Sequence, residues 1–139
     1  MNSYKFNEIS IGLKESFEVT LDLPKVDAFI EITGDKNPIH LDNEYALNNG
    51  FNGRIVHGLL TASFFSTLAG EYLPGRYSIL HSIDIQFSNP VYIDDLLTIS
   101  GVVKYINEAY KQIEIEVKII NQNGANVSKG KMKVGVIDA

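Results

Sequence analysis

Polar and apolar positions change their spacing along the chain, and each change marks an element. Phe17, Val19 and Leu21 alternate with Ser16, Glu18 and Thr20. Successive side chains of a strand point to opposite faces, so this stretch predicts a first strand buried on one side. Val26, Phe29, Ile30 and Thr33 then recur at helical spacing. Pro24 suits the first turn, where a missing N–H costs nothing, and Gly34 can take the left-handed conformation that stops a helix. Asp42 can cap a further turn through Glu44, Tyr45, Ala46 and Leu47, ending at Asn48-Asn49-Gly50.

The stretch from Gly58 to Gly70 carries no charged residue. A surface helix needs a polar face, so this one is expected to be buried on nearly all sides. It is too short and too rich in Ser, Thr and Gly to span a bilayer, which leaves a helix wrapped by a sheet. The second half supplies that sheet. Ile79, His81, Ile83, Ile85 and Phe87 alternate with polar neighbours, Leu97, Ile99, Val103 and Tyr105 keep the same period, and so do Ile113, Ile115, Val117 and Ile119. Asn123-Gly124 offers a tight turn before a last strand. The pattern predicts an α+β fold, a long antiparallel sheet curled around one apolar helix.

Composition narrows the class. The 139 residues, 45% hydrophobic, suffice for one core but not two lobes, so residues 1–139 read as one domain. No cysteine is present, which removes disulfides and thiolate chemistry. The opening Met1-Asn2-Ser3-Tyr4-Lys5 begins no signal peptide or membrane run, so the expected location is the cytoplasm. A net charge of -5 argues against nucleic acid and anionic membranes, both of which reward clustered Lys and Arg.

The candidate chemistry lies in Gly34-Asp35-Lys36-Asn37-Pro38-Ile39-His40. A carboxylate and an imidazole stand five residues apart, just after a helix, on a segment that Asn37-Pro38 stiffens. An isolated Asp and His would more often cap a turn and pack inside; a fixed pair can also move a proton. His40, His57 and His81 lack a ligand spacing with carboxylates, so no metal is expected. His57, beside a tight turn, is expected to bond backbone, and His81 to be a satisfied core or interface histidine. Lys129, Lys131 and Lys133 share one strand face, which normally means solvent.

The segment resembles the MaoC-like (R)-specific enoyl-CoA hydratases. Phe29, Ile32, Thr33, Gly34, Asp35, Asn37, Pro38, Ile39, His40 and Ala46 fit their signature. The likeness continues through Arg54-Ile55-Val56-His57-Gly58, Leu73-Pro74-Gly75 and Phe87-Ser88-Asn89-Pro90-Val91. It implies the hot-dog fold and hydratase or dehydratase activity, with Asp35 and His40 as the catalytic pair activating water. The enolate oxygen formed on a thioester needs a donor, and the Gly58 N–H at the start of the apolar helix is assigned that role. Ser66 matches a serine that related hydratases place beside the pair; a serine bonding its own helix is the alternative. Asn37 and Ala69 are assigned to substrate contact, the small Ala69 leaving room for an acyl tail.

The leading expectation is hydration of trans-2-enoyl-CoA to (R)-3-hydroxyacyl-CoA, without a cofactor beyond the coenzyme A of the substrate. The reverse dehydration on acyl carrier protein is the second reading; it needs a local basic patch, because such carriers are acidic. A non-catalytic acyl-binding module would leave Asp35 and His40 idle, and nothing marks the base of a thioesterase. An exposed sheet edge and the family likeness imply a homodimer.

Overall fold

In the computed structural model, which describes residues 1–138, the alternating segments form one antiparallel sheet. Its strands are β1 (Lys14–Thr20), β2 (Ser78–Phe87), β3 (Leu96–Asn107), β4 (Gln112–Ile120) and β5 (Asn126–Val136), in the order β1-β3-β4-β5-β2. Between β1 and β2 come α1 (Leu23–Thr33), α2 (Pro38–Leu41), α3 (Asn43–Asn48) and α4 (Gly58–Thr67), the last continued by a wider π turn, Leu68–Tyr72. The sheet and the helix it cradles make the hot-dog arrangement of an α+β fold.

Local chemistry sets the boundaries, at Pro24, Gly34 and Asp42 as the sequence predicts and at Asp22 by a further cap. The Asp22 side chain accepts the Lys25 N–H at the start of α1, Pro24 lies in the first turn, and Gly34 closes the helix at φ 72°. The Lys25 ammonium, 3.1 Å from Asp22, bonds that carboxylate and holds it below its ordinary range. Asp42 caps α3 by accepting the Tyr45 N–H.

One face of the sheet is the core. Leu97, Ile99 and Val103 of β3 pack with Ile113, Ile115, Val117 and Ile119 of β4, Met132 and Val134 of β5, and Phe65 and Leu68 from the helix. Gly101 makes this contact possible, since a Cβ there would lie 2.8 Å from both Leu68 and Ile115. The opposite face pairs charges in rows: Glu116 stands between Val102 and Lys131, and Lys118 between Ser100 and Lys129.

Three expectations are corrected. The charge-free helix is not buried all round: Leu60, Thr61, Ala62 and Phe65 are covered, whereas Leu59, Ser63 and Ser66 form an exposed face and Leu59 is 68% accessible. A sheet covers only one side of a helix within a single chain. The alternation in β2 breaks at His81, where a bulge changes the register between Leu80 and Ser82. Leu80 therefore shares the inner face with Ile83, Ile85 and Phe87, while Ile79 and His81 turn outward, and His81 bonds the half-buried Gln112 side chain at 2.8 Å. A similar shift between Val103 and Tyr105 turns Tyr105 outward and brings Ile106 to the core side, opposite Ile113. One inserted residue flips every side chain that follows.

Candidate active site

Asp35 is the first residue after the left-handed Gly34, and four local bonds fix it and its neighbours. The Thr33 hydroxyl donates to the Phe29 carbonyl (2.8 Å) and accepts the Asp35 N–H (3.2 Å). Asp35 Oδ1 accepts the Asn37 N–H at 3.2 Å, and Asn37 Oδ1 accepts the Ile39 N–H at 3.0 Å, capping α2. Pro38 occupies the first position of that short helix, where no N–H is needed. Oδ2 of Asp35 is thereby left free, on a side chain about half exposed.

His40 rides on α2 and is held at both ends. Its Nδ1 lies 2.8 Å from the Ile55 carbonyl, and its own carbonyl accepts the Arg54 Nε–H at 2.9 Å. A carbonyl only accepts, so Nδ1 carries a hydrogen, and in the neutral form of the ring Nε2 is a bare acceptor. That Nε2 stands 3.9 Å from Asp35 Oδ2. The gap is too long for a direct hydrogen bond, and two acceptors would not make one. A single water donating one hydrogen to each acceptor satisfies both and is polarised by both.

His57 completes the cluster. As expected it bonds backbone, Nε2 donating to the Asp35 carbonyl at 3.0 Å. It also stacks on His40, with ring centroids 3.8 Å apart and planes 24° apart, and meets the Phe29 ring at 5.0 Å between centroids, tilted by 57°. Donor atoms of Asp35, His40 and His57 consequently fall within 4.8 Å of one another, a proximity that sequence spacing does not reveal. The arrangement fits a metal ion poorly. Ring planes so nearly parallel meet far beyond the ~2 Å reach of a metal–nitrogen bond, so both rings cannot direct a lone pair at one ion.

Gly58 opens α4, whose N-cap residue His57 supplies no side-chain cap. Among the described residues no acceptor meets the Gly58 N–H, which leaves it at the positive end of the helix. Glycine is not needed here for a left-handed turn, because the φ of Gly58 is not positive. The constraint is Phe87, whose ring would lie 3.1 Å from any Cβ at position 58. Phe87 thus borders the site, a neighbour legible only once β2 is laid beside α4.

The remaining assigned residues divide. Ser66 lies on the exposed face of α4 and makes no hydrogen bond to its own helix, unlike Thr61 and Ser63, which bond the Gly58 and Leu60 carbonyls. Ala69 is buried in the core, one helical turn beyond Phe65 and two beyond Ala62 on the covered face. Asn37 spends its side-chain oxygen on the α2 cap, so only its amide NH2 could face a substrate. Lys129, Lys131 and Lys133 face outward as expected, Lys131 pairing with Glu114 at 3.1 Å. A groove of about 600 Å³ on that outer face, bordered by Lys14, Glu116, Lys118 and Lys129, shares no residue with the Asp35 cluster.

Comparison with known proteins adds the context. A family model described as "MaoC like domain" matches residues 7–125. The (R)-specific enoyl-CoA hydratase of Aeromonas caviae is 33% identical over 126 residues, covering 91% of this chain and 94% of the relative. The structure of the (R)-hydratase from A. caviae involved in PHA biosynthesis superposes with a TM-score of 0.88, at 33% identity, over 92% of this chain and 97% of that one. A 3-hydroxyacyl-[acyl-carrier-protein] dehydratase from Arabidopsis thaliana mitochondria is 38% identical over 81 residues, 58% of this chain and 46% of the relative.

Proposed function

This chain belongs to the MaoC-like domain family, its relatives are hydratases and dehydratases, and it is a hydro-lyase; from that premise we propose that it is an (R)-specific enoyl-CoA hydratase. The observation that carries the reading is the pair of acceptors, Asp35 Oδ2 and His40 Nε2, 3.9 Å apart at the end of a pinned segment. Water bound between them attacks the β-carbon of a trans-2-enoyl thioester. Its proton passes to the pair, and the α-carbon receives a proton from the same pair, so one water supplies both the hydroxyl and the hydrogen. Negative charge collects on the thioester oxygen as the enolate forms, and the free Gly58 N–H is the donor that stabilises it. Ser66 orients the carboxylate or the water, Asn37 contacts the substrate through its amide NH2, and the acyl tail runs along α4 toward Ala69. The residues call for no cofactor beyond the coenzyme A of the substrate.

The protein acts as a homodimer in this reading. Strand β2 is an edge with one side unpaired among the described residues, and Ile79, Leu80, Ile83 and Phe87 are exposed along it. A long apolar edge of this kind pairs with another chain or aggregates. No helix of the described residues is long and apolar enough to cross a membrane, and the proposed location is the cytoplasm.

The second reading, dehydration of (3R)-hydroxyacyl groups on acyl carrier protein, is favoured by the mitochondrial relative. Lys118 and Lys129, directly opposite on adjacent strands, give the outer face a local positive pair for an acidic carrier. An assay offering crotonyl-CoA, longer enoyl-CoA esters and an enoyl carrier-protein thioester, with chiral analysis of the product, decides. The proposal expects (R)-3-hydroxyacyl-CoA from the CoA esters. Turnover confined to the carrier thioester would install the second reading, and release of free coenzyme A or no turnover at all would defeat both.

A further inference from the structure

His57 is buried to 2% exposure yet leaves its Nδ1 without a hydrogen-bond partner among the described residues. A buried unpaired polar atom weakens a fold, and an apolar side chain of similar size would avoid it. The histidine therefore has to be explained by what it does with the rest of its ring. Two contacts stand out, and both end on the catalytic pair. Its Nε2–H holds the Asp35 carbonyl at 3.0 Å, fixing from behind the residue whose carboxylate faces the water. Its flat face lies against His40 at 3.8 Å, and Phe29 also packs on the ring, so His40 cannot swing without breaking the stack.

We infer that His57 is a positioning residue for hydration, setting the Asp35 carboxylate and the His40 Nε2 in register through one hydrogen bond and one ring stack. The inference rests on the Asp35–His40 reading and adds a third residue to it. The bond direction follows from the chemistry: the Asp35 carbonyl needs a donor, which fixes His57 as the Nε2–H tautomer, opposite to the Nδ1–H tautomer of His40. The two rings thus face one another with each anchored to a backbone carbonyl through a different ring nitrogen. Reaction geometry is sensitive to small displacements, so loosening either contact lowers turnover while leaving substrate affinity intact.

Three variants separate the contacts. His57→Met keeps neither, His57→Gln keeps an N–H donor and His57→Phe keeps a flat ring. With crotonyl-CoA the expected fall in kcat is about a hundredfold for Met and about tenfold for Gln and Phe, with KM within about twofold of wild type. Melting temperatures should not follow that order, and Phe, which removes the unpaired Nδ1, should melt no lower than Met. A kcat within twofold of wild type in His57→Met, Gln and Phe variants no better than Met, or activity lost only in step with the folded fraction would each overturn the inference. The ¹⁵N spectrum of ring-labelled wild-type protein provides a check that needs no variant: opposite tautomers are expected for His40 and His57, and like tautomers would overturn it. Asp35→Asn, assayed alongside, keeps the premises apart. If that variant stays active the catalytic pair itself is wrong; if it is inactive while His57→Met is unimpaired, only the role of His57 fails.

Discussion

The Gly34–His40 segment and the centre of the sheet are held by opposite means. Strands β3, β4 and β5 are fixed by apolar burial: Ile99, Val103, Ile113, Ile115, Ile119 and Met132 are fully enclosed, and each is interchangeable with a neighbour of similar size. The Gly34–His40 segment has no fully enclosed residue, and Gly34 to Pro38 are exposed. It is fixed by hydrogen bonds of definite direction, from Thr33, Asn37, Ile55 and His57, each tied to one donor or acceptor. Burial is tolerant and sets where the segment lies; directed bonds are intolerant and set where one oxygen and one nitrogen point. The scaffold should therefore lose stability when damaged, and the segment should lose turnover.

Breaking the segment should have the largest effect. His40→Ala removes Nε2 and with it half the water site, and should lower kcat for crotonyl-CoA by roughly a hundred- to ten-thousand-fold while the melting temperature barely moves. Retention of near-normal turnover would remove His40 from the chemistry. In the core, Phe65→Ala should cost about 3–5 kcal/mol of unfolding free energy, measured in denaturant, with kcat per folded molecule preserved. A catalytic effect matching that of His40→Ala would erase the contrast between the two regions.

Smaller changes sharpen it. Ala69 is packed inside the core, so Ala69→Leu should cost about 1–3 kcal/mol of stability and, with the acyl tail running there, shift the chain-length profile toward short esters. An unchanged profile in a folded, active variant would route the tail elsewhere. Ser66→Ala removes one orienting hydroxyl from an exposed helix face, and a lost neutral hydrogen bond corresponds to about a twofold to tenfold fall in kcat. A fall equal to that of His40→Ala would put Ser66 among the proton carriers. Lys131→Met on the outer face should change stability by under about 1 kcal/mol and turnover not at all, because exposed ion pairs such as that with Glu114 contribute little.

What the sequence reveals follows the same division. Period and caps are local, so α1 from Pro24 to its stop at Gly34, the Asp42 cap and the inward face of β4 are all legible from neighbours in the chain. The Asp35 to His40 spacing is legible too, because five residues and a proline enforce it. Long-range registration is not. Nothing local announces the bulge at His81, which reverses the faces of Ile79 and Leu80, or the widening of the helix at Leu68–Tyr72. His57 reaches Asp35 across 22 residues and Phe87 closes over Gly58 from another strand, so both contacts exist only when α1, α4 and β2 are assembled. The Val56-His57-Gly58 run carried the available signal for His57, a histidine beside a candidate oxyanion donor.

Asp35→Asn tests the central claim most directly. The amide oxygen can keep the bond from the Asn37 N–H, while the amide nitrogen puts a donor where Oδ2 offers the water an acceptor. Crotonyl-CoA hydration, followed by loss of the enoyl thioester absorbance at matched folded concentration, should fall by roughly a hundred- to ten-thousand-fold with melting temperature retained. A folded Asp35→Asn protein that hydrates crotonyl-CoA at near wild-type rate would contradict the account.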